Sequence, residues 1–205
     1  PDVTFLCSPN NPTGVVESPE LVATVAREQR GLLVVDEAYG QFAPWSALEL
    51  LDEDLPMVVS RTFSKTWSMA AVRLGYCIAP TWLVDELDKV VLPYHLDTAK
   101  QLAGLLALDY VGEMNARVAA IVAERERLTA ALDDLPVRVW PSGANFILFR
   151  PEDKAGKDVW QGLVDRSVLV RNCSSWPRLA DCLRVTIGTP EEDDAFIKAL
   201  TEVLS

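Results

Sequence analysis

Basic residues are scarce in this chain. Nineteen Lys and Arg stand against 30 Asp and Glu, a formal net charge of −11. No basic run offsets that balance, which argues against nucleic acid or an anionic membrane surface as partner. No apolar run approaches the ~20 residues that a membrane-spanning helix needs, and no stretch of these 205 residues reads as a signal peptide. There is a single histidine, His95, and the four cysteines (Cys7, Cys77, Cys173 and Cys182) lack CxxC spacing. That set makes no zinc pattern and suits free thiols in a reducing, cytoplasmic setting. Internal repeats and low-complexity stretches are absent too. What is present is 205 residues, 49% hydrophobic and 24% charged, enough for one large domain or two smaller ones with real cores.

The first half alternates strands and helices. Val3 to Cys7 reads as a buried strand, ending in a loop, Ser8-Pro9-Asn10-Asn11-Pro12-Thr13-Gly14, dense in restricted residues. A cis Asn11–Pro12 bond would fix the direction of Asn11. Glu17 to Arg30 reads as a helix capped by Ser18 with Pro19 in its first turn. Leu32 to Val35 is apolar on both faces, as in a covered parallel sheet. It runs into Asp36-Glu37-Ala38-Tyr39, so acidic and phenolic groups stand at the carboxyl end of a buried strand, where open α/β sheets bind ligands. Pro56 to Arg61 is the next strand and Leu74 to Ala79 another, with an amphipathic helix from Trp82 to Val91. Thr98 to Leu132 reads as one or two long helices, with Gly112 as a break. The rest reads β-β-α-β-β-α: strands at 137–140, 146–149, 168–171 and 183–188, helices at 157–166 and from Thr189 onward.

The stretch Arg61-Thr62-Phe63-Ser64-Lys65-Thr66-Trp67 puts one lysine among small and hydroxylated residues, in what reads as a strand-to-helix turn. A lysine shielded from water there favours its neutral amine, the form that condenses with an aldehyde. Arg73, eight residues on, is expected two helical turns away and suits an anion at the same end of the site.

Taken in order, Asn11-Pro12-Thr13-Gly14, Asp36 with Tyr39, Ser64-Lys65 and Arg73 resemble the fold type I pyridoxal 5'-phosphate aminotransferases. Within them the chain is similar to the histidinol-phosphate aminotransferase group, matched further by Pro93-Tyr94, Ser142-Gly143-Ala144-Asn145-Phe146, Arg171 and Leu183-Arg184-Val185-Thr186. The resemblance implies an α/β fold. A large domain, mostly parallel sheet with helices on both faces and incomplete at its N-terminus, would occupy residues 1–96. Connecting helices would fill 97–122, and a small C-terminal α+β domain 123–205. It implies that Lys65 holds the cofactor as a Schiff base and shuttles a proton, that Asp36 pairs with the pyridine nitrogen, and that Asn11 and Tyr39 bond the phenolic oxygen. Arg73, Ser64 and Thr62 would hold the phosphate. Arg184, with Arg171 thirteen residues before it, would bind the substrate's anionic group, and Asn145 and Tyr94 would contact substrate.

The activity so implied is transamination of histidinol phosphate with 2-oxoglutarate in histidine biosynthesis, by a homodimer with shared active sites. Its partners are a small-molecule amino donor and a 2-oxo acid; no metal is expected. An aromatic aminotransferase or a phospho-amino-acid decarboxylase would use the same scaffold. Thr66 and His95 depart from the group's pattern; His95, beside an aromatic, reads as structural or as a substrate contact. Relatives are about twice as long. The part without a counterpart here carries a phosphate-binding glycine loop and a stacking aromatic, so the chain on its own could also be an inactive fragment.

Overall fold

The computed structural model describes residues 1–205, which divide into two compact units, Pro1–Pro9 with Val16–Val118 and Asn10–Val15 with Ala119–Ser205. The first is organised by an alternation in its second strand. Leu33 and Val35 are fully buried, on the face that meets Val22 and Ala26 of the first helix. The flanking Leu32, Val34 and Asp36 are half-buried on the other face. Three strands run parallel: β1 (Val3–Cys7), β2 (Leu32–Asp36) and β3 (Met57–Thr62). Helix α1 (Pro19–Glu28) makes the crossover from β1 to β2. Ser18 Oγ accepts the Leu21 N–H at 3.2 Å, and Pro19 opens the helix as its missing N–H allows. Strand β4 (Gly75–Ile78) closes the order β1-β2-β3-β4 antiparallel to β3.

The segment after β3 corrects the strand-to-helix expectation. Between Thr62 and Gly75 the only helical piece is a 3-10 turn, Ala70–Val72. Ser68 and Arg73 bracket it with φ of 56° and 57°, the left-handed region that L side chains rarely adopt. With no crossover helix the chain turns straight back, which only an antiparallel neighbour permits. Helices α2 (Thr81–Asp88) and α3 (Thr98–Ala107) follow. A 3-10 turn at Leu108–Tyr110, ahead of the expected break at Gly112, separates α3 from α4 (Val111–Asp133).

The second unit is a four-stranded antiparallel sheet in the order β5-β6-β8-β7: β5 (Val137–Val139), β6 (Phe146–Pro151), β7 (Arg171–Asn172) and β8 (Leu183–Thr186). Helices α5 (Gly156–Val164) and α6 (Pro190–Leu204) pack on it with the second half of α4. Its largest apolar cluster includes Leu128, Leu132, Ile147, Phe149, Leu183 and Leu200. The strand expected at 168–171 is only two residues long, because the chain before Arg171 leaves the ladder; Leu169 is 82% exposed. No helix is long and apolar enough to cross a membrane.

Candidate active site

In the first unit the chemistry gathers beyond the carboxyl ends of β2 and β3. Asp36 is the last residue of β2, paired in register with Ser60 of β3. Its Oδ1 accepts the Ala38 N–H at 3.0 Å, and this fixes the carboxylate at the start of the turn carrying Tyr39. The Tyr39 ring is buried, and Lys65 Nζ stands 5.0 Å from its centroid, a cation–π approach. The lysine loop is held from below. The Phe63 N–H bonds the Leu74 carbonyl and the Met69 N–H the Phe63 carbonyl, both at 3.0 Å. Phe63 and Trp67 anchor the loop in an apolar cluster with Leu74 and Met114. Thr62 Oγ1 accepts the Ser64 N–H at 3.0 Å and donates to the Leu74 carbonyl at 3.4 Å. Arg73 folds back, its Nη1 donating to the Ala70 carbonyl at 3.0 Å and to Ser64 Oγ at 3.4 Å. Five residues singled out in the sequence (Asp36, Tyr39, Ser64, Lys65 and Arg73) are therefore linked in one unit, with Thr62 bridging β3 to the loop. The expected shielding of Lys65 is not supplied by this unit, because its side chain is exposed.

In the second unit Arg184, on β8, gathers the rest. Its guanidinium lies 4.8 Å from the Phe146 ring centroid, and its Nη1 donates to Asn11 Oδ1. The Arg184 Nε is buried and has no hydrogen-bond partner. Arg171 is the register partner of Arg184 across β7 and β8, and its side chain is exposed. The Asn11–Pro12 bond is cis, as is Ser8–Pro9. The loop holding Asn11 is clamped to the Ser142–Asn145 turn. The Gly143 N–H bonds the Gly14 carbonyl at 2.8 Å, and Gly14 has φ of 77°, where a Cβ would lie 2.3 Å from Ser142 Oγ. Arg125 of α4 braces the same turn, its Nη1 donating to the Ala144 carbonyl at 2.8 Å; burial lowers its pKa. Asn145 accepts the Ile187 N–H through its backbone carbonyl at 2.9 Å. Tyr94 is fully exposed at φ 63° and joins no cluster, and its neighbour His95 is exposed as well.

Sequence reasoning gave no role to the group directly beneath Asp36. Glu37 is 2% exposed, and its Oε2 accepts from Arg61 Nη2 at 2.7 Å and Nε at 3.1 Å. Ser46 Oγ lies 2.8 Å from the same oxygen, and the Ala47 N–H reaches Oε1 at 2.6 Å. The available signal was an acid and a base at the ends of two neighbouring apolar strands.

An open α/β sheet bearing a lysine, a carboxylate and an arginine beyond its carboxyl ends places this chain in the class of α/β proteins that bind ligands at that edge. The chain belongs to the aminotransferase class I and II family, whose model matches residues 1–200. It is 39% identical over 206 residues to the histidinol-phosphate aminotransferase of Corynebacterium glutamicum, covering 100% of this chain and 55% of that protein. With the enzyme of the same name from Frankia casuarinae it shares 43% identity over 214 residues, 100% of this chain and 52% of the relative. The chain thus spans about half the length of the curated relatives it matches. Among solved structures it resembles the histidinol-phosphate aminotransferase from Sinorhizobium meliloti in complex with pyridoxal-5'-phosphate. That match has a TM-score of 0.86 and 26% identity, over 99% of this chain and 57% of that one. The L-threonine-O-3-phosphate decarboxylase from Porphyromonas gingivalis shares the fold, with a TM-score of 0.85 at 21% identity over 99% of this chain and 64% of that one. The family is pyridoxal phosphate-dependent.

Proposed function

We propose that the protein is a pyridoxal phosphate-dependent aminotransferase that moves the amino group of histidinol phosphate to 2-oxoglutarate. The observation carrying this reading is the Lys65 amine 5.0 Å from the ring centre of Tyr39, beside Asp36 at the end of β2. The names of the relatives, at 39–43% identity, support the choice of substrate.

The donor set of the first unit fits the cofactor. It offers an amine for an aldehyde, a carboxylate for a pyridinium, a phenol for a phenolic oxygen, and a guanidinium with a hydroxyl for a phosphate. Pyridoxal phosphate, when bound, supplies an electron sink for the carbon that bears the substrate's amine. Lys65 Nζ holds the cofactor and then takes and returns the proton of that carbon. Asp36, with Oδ1 committed to Ala38, keeps a proton on the ring nitrogen. Tyr39 orients Lys65 and donates to the phenolic oxygen. Arg73, Ser64 and Thr62 bind and orient the phosphate. In the second unit Asn11 keeps its amide N–H groups as donors, since its Oδ1 is taken by Arg184. Arg184 binds the substrate's anionic tail as a fork, helped by Arg171 and Asn145; both carboxylate and phosphate accept such a fork. Tyr94 is offered as a further substrate contact on the strength of the Pro93-Tyr94 match alone.

A cytoplasmic homodimer belongs to the same reading. It is supported by the exposed apolar residues Leu102, Leu105, Leu106 and Leu108 in and after α3. Sedimentation would test the dimer.

The activity is tested by glutamate formation from 2-oxoglutarate with histidinol phosphate, aromatic amino acids and phosphorylated amino acids in parallel. The expected result is the highest kcat/KM with histidinol phosphate. Turnover led by another donor, or carbon dioxide release in place of glutamate, would overturn the substrate assignment.

A further inference from the structure

We propose that the buried Glu37–Arg61 ion pair is a positioning device. It holds the end of β2, with Asp36 and Tyr39, in register with the end of β3, with Thr62, Ser64 and Lys65, and so sets the geometry in which these groups meet the cofactor. The inference rests on the cofactor reading given above.

The period of a strand separates this pair from the chemistry. Side chains alternate between faces, and register partners share one face. Asp36 pairs with Ser60, so Asp36, Ser60 and Thr62 project from one face of the sheet tip. Glu37 continues β2 by one residue, its N–H bonding the Ser60 carbonyl at 2.9 Å. Glu37 and Arg61 therefore project from the opposite face, together with the buried Leu33, Val35, Met57 and Val59. A residue on that face acts on a ligand beyond Asp36 only through the backbone.

The pair is built to act in that way. Its side chains are 3% and 14% exposed, and the Glu37 carboxylate meets four donor groups from two segments. A charge so placed is tolerated only with its partners in position, so the spacing of the two strand ends is fixed by where the carboxylate and the guanidinium can meet. Ser46 and Ala47, at the start of a capped 3-10 turn, tie in the segment that leaves the Tyr39 turn. Gly40 completes the arrangement. A Cβ there would lie 2.7 Å from both Glu37 Cβ and Glu37 Oε2, so the backbone one residue past Tyr39 is pressed directly against the carboxylate. One ion pair thus sets both segments, and the lysine and the phenol that meet at 5.0 Å come one from each.

The test uses Glu37→Gln, Arg61→Met and the conservative Arg61→Lys in the purified protein, with three readouts. Amide hydrogen exchange without cofactor should speed up in both 36–40 and 60–66 in Glu37→Gln and Arg61→Met, more than in the second unit. The dissociation constant for pyridoxal phosphate should rise on the order of tenfold, the scale on which outer partners of a ligand shell act. The pH midpoint of the visible band of lysine-bound cofactor should move, with Arg61→Lys between wild type and Arg61→Met. Faster exchange with an unchanged dissociation constant and an unchanged midpoint would make the pair a stability element and overturn the inference. So would exchange that rises evenly over the whole chain. Failure of the wild type to bind pyridoxal phosphate, with exchange still rising in the two segments, would overturn the cofactor reading but leave the coupling of the strand ends standing.

Discussion

Each unit has one carboxylate buried to 2% exposure, and the two are treated in opposite ways. Glu37 in the first and Asp193 in the second are both 2% exposed. Glu37 faces an arginine, a hydroxyl and a backbone N–H. Asp193 has the Gly188 N–H at 3.1 Å on Oδ1, no hydrogen-bond partner on Oδ2, and Glu124 as its neighbour. Burial, reinforced by Glu124 and opposed by the Gly188 bond, pushes the Asp193 carboxyl up to about 6. Arg127 meanwhile holds Glu124 below the ordinary carboxylate range. Equal burial therefore comes with unequal partnering: Glu37 meets a cation, whereas Asp193 meets a second carboxyl group. The fully partnered carboxylate stands under the candidate site, and the poorly partnered one sits at the first turn of α6.

That contrast is broken most forcefully at Arg61. Arg61→Met leaves Glu37 buried without its cation and should cost about 3–5 kcal/mol in urea unfolding, whereas adding Glu37→Leu should recover most of the loss. A loss below 1 kcal/mol would mean that Glu37 needs no compensation and differs little from Asp193.

Gly40 offers a smaller perturbation of the same group. Gly40→Ala puts a methyl 2.7 Å from the Glu37 side chain and should destabilise by about 1–3 kcal/mol. Gly112, where a Cβ would meet nothing within 4 Å, is the control. Gly112→Ala should stabilise α4 by up to about 1 kcal/mol.

Asp193 gives the smallest effect and one of opposite sign. An acid held protonated by the fold binds more protons folded than unfolded, so stability falls as pH rises from 3.8 to about 6. Glu124 acts the other way, but only as pH falls below its ordinary 4.5. Between pH 5 and 7 the Asp193 contribution rules, and wild type should be less stable at pH 7 than at pH 5. Asp193→Asn should erase that difference and gain about 1 kcal/mol at pH 7, the scale of a one-unit shift. Urea midpoints at the two pH values check this. Equal slopes in wild type and variant would show that Asp193 is charged throughout.

Much of this was legible in the chain, and the misses share a cause. β1, β2 and α1 could be read because runs such as Leu32 to Val35, and the Ser18-Pro19 start, carry their structure locally. The segment after Lys65 was misread as helical because nothing in its composition announces left-handed Ser68 and Arg73; a glycine at either place would have done so. In the site, Asp36 and Tyr39 stood out as polar groups at the end of an apolar strand, and Lys65 and Arg73 as a lysine among small and hydroxylated residues with an arginine eight residues on. Glu37 with Arg61 did not, because an ion pair between parallel strands depends on register, which a period of two leaves open. Asn11 with Arg184 was out of reach for the same kind of reason, being 173 residues apart.

The central claim is that Lys65 is the residue that holds the cofactor. It is tested most directly by loading the purified protein with pyridoxal phosphate, reducing it with borohydride and mapping the peptides. The account predicts a pyridoxyl mass on the peptide containing Ser64-Lys65-Thr66, lost in Lys65→Ala. A mark on another lysine, or retention of the mark in Lys65→Ala, would contradict it.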